Sequence, residues 1–220
     1  ETVLTAALVE PHRDPAAPAT RASRDGAGYR LDGCKLGVPA GPVADLVLVP
    51  EALDEGGVGV FLVESASAGA HHVELITTSL QPESRLELDG ARGTLLGSAG
   101  QGTDIVRWIE LRATAALCAL AAGLCAEALR LTADYIKARK QFGQPIATFQ
   151  AVGQRAANAF IDTEGVRLTA LQAAWRIDAG LPAEAAVATA KIWAAQAGAR
   201  VVRAAQHLHG GSGVDREYPL

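Results

Sequence analysis

The sequence predicts an α+β chain, a β domain over residues 1–100 followed by an antiparallel helix bundle over 101–220. Two observations carry this. The first hundred residues hold most of the glycines and prolines, with short β-type runs between turn signals. From Asp104 onward, three long runs repeat apolar residues every three or four positions and contain almost no proline. With 220 residues and 49% hydrophobic content, there is enough apolar material for a real core in each part.

In chain order, GYRLDGCKLGV (28–38) alternates around glycines and is expected to form a hairpin. ADLVLVPEA (44–52), VGVFLVES (58–65), HHVELITT (71–78) and SRLELDG (84–90) are strand candidates, and a sandwich or small barrel is the natural packing. GSAGQGTD (97–104) marks the change of character. A first helix is expected from Asp104, as N-cap, to a stop at Gly143. A second runs from about Thr148 to Ala179, where Gly180 and Pro182 break it. A third runs from Pro182 to His209 before Gly210 and Gly211. Short connections favour antiparallel neighbours. The first and third helices are so rich in alanine that three helices cannot cover their surface, and a large interface with another chain is expected.

The formal net charge of −4 and the lack of a basic stripe argue against a nucleic-acid partner. No apolar run is expected to reach the ~18 residues of a membrane span. Cys34, Cys118 and Cys125 lack metal-ligand spacing, so no metal site is expected. Cys118 and Cys125 lie two helical turns, roughly 10 Å, apart and cannot bridge; they are read as reduced thiols of a cytoplasmic protein. No signal peptide is visible. The chain starts at Glu1 and contains no methionine, so it is expected not to begin at a natural start.

Two stretches carry candidate chemistry. RKQFGQPIATFQAV (139–152) places a basic pair, an aromatic ring and a glycine at a helix junction, with Gln150 eleven residues after Arg139. A structural account is available, since cations favour a helix C-terminus and glycine caps it. QHLHGGSGVDREYPL (206–220) ends a helix on two glycines, which also let a ligand approach the backbone and leave amides to donate to phosphate.

Together, in this order and spacing, the two stretches resemble the acyl-CoA dehydrogenase family, and the resemblance covers nearly the whole chain. It implies the family's central β domain and C-terminal bundle, without the N-terminal helical domain. It also implies one half of an FAD site, gripping the pyrophosphate and adenosine of a flavin whose ring lies in a neighbouring subunit. Carried over, this implicates Arg139, Phe142, Gln150, His207, Gly210 and Gly211 in cofactor binding, with His207 standing where the family has glutamine. A guanidinium suits a pyrophosphate and a ring suits the apolar cofactor edge.

ALVEPHRDPAAPATRA (7–22) and GYRLDGCKLGVPAG (28–41) resemble the family's flavin-ring and acyl-CoA segments, with departures. Val9 replaces a threonine, Gly37 an aromatic that covers the flavin, and Pro39 a hydroxyl residue at the flavin edge. The Glu10–Asp14 segment is two residues short and lacks the family serine. The family abstracts the substrate α-proton with a glutamate. One usual site falls past Leu220, and the other falls on Ala113, with Glu110 one turn earlier. The catalytic residue is therefore unassigned.

A kept half-site beside a damaged flavin pocket resembles the non-catalytic subunit of heteromeric (α2β2) bacterial steroid-CoA dehydrogenases. The resemblance implies a heterotetramer with a homologous acyl-CoA dehydrogenase subunit, an acyl-CoA substrate with a bulky, steroid-like acyl group, and an electron-transfer flavoprotein as acceptor. Two other readings stay open: a self-sufficient homo-oligomeric dehydrogenase seen incompletely, and a structural subunit that binds no cofactor.

Overall fold

A computed structural model describes residues 2–215 and 217–220. The chain divides into two compact units, Glu1–Ile109 and Glu110–Leu220.

The first unit is a seven-stranded sheet: β1 (Leu4–Ala6), β2 (Arg21–Asp25), β3 (Gly28–Pro39), β4 (Leu46–Leu53), β5 (Val58–Glu64), β6 (Ala70–Leu75) and β7 (Glu83–Leu95). The strand order is β1-β4-β2-β3-β7-β5, β6 adds to β7, and β4 pairs with β5, closing β4, β2, β3, β7 and β5 into a barrel. Val47, Val49 and Leu53 of β4 fall on one face by the two-residue period and meet Leu31, Phe61, Val63 and Leu86 in the core. One edge of β4 pairs with β1 through 46–48 and with β2 through 52–53. Pro50, which has no N–H to donate, sits in the gap between them.

The expected hairpin over 28–38 is instead a single twelve-residue strand. Its glycines make irregularities in the pairing with β7, between Leu31 and Gly33 and between Lys35 and Val38. Gly37, at φ 54°, takes the left-handed conformation such a bulge favours. The bulge re-phases the strand, so that both Lys35 and Val38 point inward although they are an odd number of residues apart. The true hairpin joins β2 to β3 around Gly26. β1 and β2 were not expected, because RASRD carries too many charges to read as a strand.

The second unit is built on α1 (Gly102–Ala138), which starts in the first unit, α2 (Gln150–Asp178) and α3 (Glu184–His209). A two-residue hairpin, β8 (Lys140–Gln141) and β9 (Gln144–Pro145), links α1 to α2. Two expected caps are corrected. Asp104 lies inside the first turn of α1, where a carboxylate favours the positive helix end, and it is not the N-cap. Gly143 does not stop α1, which ends five residues earlier; with Phe142 it turns the hairpin, both residues at positive φ.

The bundle core is small-residue packing: Ala115 and Cys118 of α1, Ala170 and Ala173 of α2, and Val187 and Ala190 of α3. Cys125, Ala159 and Val201 continue it toward the other end. All three cysteines are free, Cys118 and Cys125 buried. Asp162 of α2 and Arg200 of α3 form a two-pronged ion pair at 2.7 and 2.8 Å.

Much apolar surface stays outside this core. Leu117, Leu120 and Leu124 of α1 are more than half exposed, as are Ile161, Leu168, Leu171 and Trp175 of α2. The intervals of three and four residues make each set a stripe. By length and composition alone, α1 is apolar enough to cross a membrane, contrary to the expectation from its sequence. A narrow stripe of it, Ala115 and Cys118, packs on α2 and α3, while only 17% of its most apolar stretch is buried.

Candidate functional site

The residues implicated by sequence gather at one end of the bundle, where α1 ends, α2 begins and α3 ends. Arg139 follows α1 directly: its N–H donates to the Tyr135 carbonyl, and its own carbonyl accepts from Ile146 N–H, each at 2.8 Å. These two bonds fix the backbone on both sides of the hairpin. Its side chain is exposed and forms no ion pair with any described residue.

Phe142 sits at the hairpin tip at φ 53°, a conformation that costs a non-glycine residue about 1–3 kcal/mol. The residue is 92% exposed, and its one aromatic partner among the described residues is Phe149, edge-on at 6.1 Å between ring centroids. An aromatic held outward in a strained conformation is a feature folding alone does not select. Gln150 follows Phe149 as the first residue of α2 and is exposed.

His207 lies on the last turn of α3, exposed. It lines a groove of about 680 Å³ between the N-terminal half of α2 and the C-terminal half of α3. The groove has an apolar floor that includes Val152 and Leu208, and it carries Arg155 and Arg203. These two arginines were not singled out from sequence, where they look like ordinary solvated helix positions.

Gly210 ends α3 at φ 60°, ψ −133°, a combination open to glycine alone. Its N–H donates to the His207 carbonyl. The expectation that both glycine amides stay free for a ligand is thus corrected at Gly210. Gly211 is exposed in the 3-10 turn Gly210–Val214. The turn is anchored by His209, which is buried. Its Nδ1 donates to the Ala205 carbonyl at 2.8 Å, and its ring lies between those of Tyr135 and Tyr218.

The structure therefore joins Phe142 to Gln150 through Phe149, and places His207 on the groove that starts beside Gln150. Among the described residues, no hydrogen bond or ion pair links the Arg139 side chain to the double glycine.

The C-terminal part, residues 100–220, matches the family model described as acyl-CoA dehydrogenase, C-terminal domain. Acyl-CoA dehydrogenase FadE27 of Mycobacterium tuberculosis is 43% identical over 208 residues, 91% of this chain and 55% of that protein. The chain belongs to the acyl-CoA dehydrogenase family. Among solved structures, the ChsE4–ChsE5 complex from Mycobacterium tuberculosis is 42% identical with a TM-score of 0.88, over 97% of this chain and 57% of the other. The Tcur3481–Tcur3483 steroid ACAD is 38% identical with a TM-score of 0.90, over 99% and 59%. The chain thus spans a little over half the length of these relatives.

In the β domain, the family-like segments meet at a charged cluster the sequence reading missed. Lys35 Nζ donates to Glu10 Oε1 and to the Pro50 carbonyl, each at 2.5 Å. The Glu10 carboxylate also accepts from Ala19 N–H, Thr20 N–H and the Thr20 hydroxyl, which ties off residues 11–19 as a loop. Burial alone would raise the Glu10 carboxyl, but the hydrogen bonds from Lys35, Thr20 and Ala19 outweigh it and hold it below its ordinary range. Lys35 inside one apolar strand and Glu51 inside another were the available signals.

Val9, Gly37 and Pro39 lie close to this cluster in the chain. Val9 bridges to Leu36. The Pro39 carbonyl accepts the Thr5 hydroxyl at 2.6 Å, which fills that edge from within the chain. Ala113, at the family's alternative base position, has no group that can move a proton. Glu110 lies three residues before it on α1, half-buried.

Proposed function

We propose that this chain is the non-catalytic subunit of an FAD-dependent acyl-CoA dehydrogenase that removes two hydrogens from a bulky, steroid-like CoA thioester. In this reading it supplies the adenosine and pyrophosphate half of the flavin site to a homologous catalytic partner, in a cytoplasmic heterotetramer with two copies of each chain. Electron-transfer flavoprotein accepts the electrons.

The observation that carries this is the hairpin. Arg139 and Phe142 are presented outward, one unpaired by any described residue and the other strained and almost fully exposed. These residues fit the group: a planar cation for a pyrophosphate, and a ring for the apolar edge of the cofactor. Gln150 and His207 would add hydrogen bonds beside them. FAD, when bound, supplies the hydride acceptor of the reaction. The chain's own contribution is to grip the cofactor's far end and hold it in register. The names of two similar structures support the assembly and the substrate class, since each joins two differently named chains and one is called a steroid ACAD. Val9, Gly37, Pro39 and Ala113 support the division of labour, because none offers the contact or the base that the family has there.

One observation favours a second reading, a self-sufficient dehydrogenase. The left-handed φ of Gly37 gives that glycine a backbone reason that needs no loss of flavin contact.

Arg139→Ala separates the proposal from a cofactor-free scaffold. Losing a charge-assisted contact costs about 1.5–3 kcal/mol, so FAD retention by the assembled complex should fall roughly ten- to a hundredfold. Unchanged FAD affinity would assign the chain a scaffolding role.

A further inference from the structure

The β barrel encloses a carboxyl group that neither the family resemblance nor the proposed cofactor site uses. Glu51 follows Val47 and Val49 on the inward face of β4, is fully buried, and has no hydrogen-bond partner among the described residues on either carboxylate oxygen. The nearby donors are already committed. Lys35 Nζ bonds Glu10 and the Pro50 carbonyl, and the single Thr20 hydroxyl proton is directed at Glu10 at 2.7 Å, so the pull of that hydroxyl on Glu51 offsets only part of the effect of burial. The strand position opposite Glu51 on β5 is Gly59, which has no side chain to offer. The charged groups that act on Glu51 are Lys35, Glu10 and Asp32. One cation already matched by one carboxylate leaves no counter-charge for a second.

We propose that Glu51 is held as a neutral carboxylic acid inside the barrel, and that its ionisation at alkaline pH loosens the Lys35–Glu10 closure of the 11–19 loop. A second anion in the barrel competes for the Lys35 ammonium, and the closure of the loop rests on that ammonium and on the Thr20 and Ala19 donors. Burial is the dominant cause, and it pushes the Glu51 carboxyl up from 4.5 to about 8. The folded chain then binds more protons than the unfolded chain between those two values. This contribution to stability is complete below about pH 4.5 and is lost as pH rises to about 8.

Two measurements on the intact protein test this. Infrared difference spectra across the titration read the carboxyl directly. A protonated-carboxyl band present at neutral pH, lost with a midpoint near 8 and missing in Glu51→Gln, is expected. A wild-type protein with no such band at neutral pH overturns the proposal, whether or not the variant folds. Limited trypsin digestion reads the loop, since Arg13 is exposed within it. Glu51→Gln keeps the shape without the titration and corrects for the protease's own pH dependence. Cleavage after Arg13, relative to that variant, should rise severalfold from neutral to alkaline pH. A ratio that stays flat overturns the link between Glu51 and the loop.

Discussion

At the scale of single residues, charge inside the barrel carries more consequence than charge on the surface. Lys35 and Glu10 are buried together, and removing one partner of such a pair leaves the other uncompensated, at a cost of about 3–5 kcal/mol. Lys35→Met should therefore lower the unfolding free energy of the β domain by that amount, read as a lower denaturant midpoint, while Arg24→Met, from an exposed ion pair, should change little. The two carboxylates respond oppositely to pH. Glu10, held low, stabilises fully above its ordinary 4.5 and loses that contribution as acid protonates it. Glu51, held high, loses its contribution toward alkaline pH. The residue types were visible in the sequence, but their meeting was not. Glu10 and Lys35 are 25 residues apart, and only the pairing of β3 and the gap beside Pro50 bring them together.

Elements built on local signals were legible; elements built on exceptions were not. The three helices follow from apolar periodicity and from the breakers Gly180 and Pro182, and their ends fall within a few residues of expectation, apart from the far end of α1. That end stops at Ala138 because the chain turns into a hairpin whose tip contains a non-glycine residue at positive φ, a choice that local propensity argues against. β3 misled for the same reason, since glycines that usually mark turns here form bulges. Two substitutions test element-level claims. Phe142→Gly removes the backbone strain, so the chain should keep its stability within about 1 kcal/mol or gain slightly, yet the complex should hold FAD less well. A loss of stability without loss of FAD would assign the ring a folding role. Gly165→Ala raises helix propensity by about 1 kcal/mol. It also drives a methyl into the Trp193 ring, where overpacking costs about 1–3 kcal/mol, so net destabilisation by thermal melting is expected.

At the scale of the whole molecule, the outward apolar stripes and the outward hairpin point the same way. Leucines on α1, the Ile161-to-Trp175 stripe on α2 and the uncovered hairpin all present exposed apolar groups, which in the proposed assembly other chains cover. The family and its bundle could be read from two motifs and their spacing, because both carry over from the family. The partner could be named only through the resemblance, since a partner leaves only exposed surface in the sequence it binds. The most direct measurement is the flavin count: express the protein alone and with a homologous dehydrogenase subunit, then determine FAD per chain and mass in solution. About half an FAD per chain, found only in a mixed assembly of two copies of each subunit, is the predicted result. About one FAD per chain from this protein alone would contradict the shared-site account and return the chain to the self-sufficient members of its family.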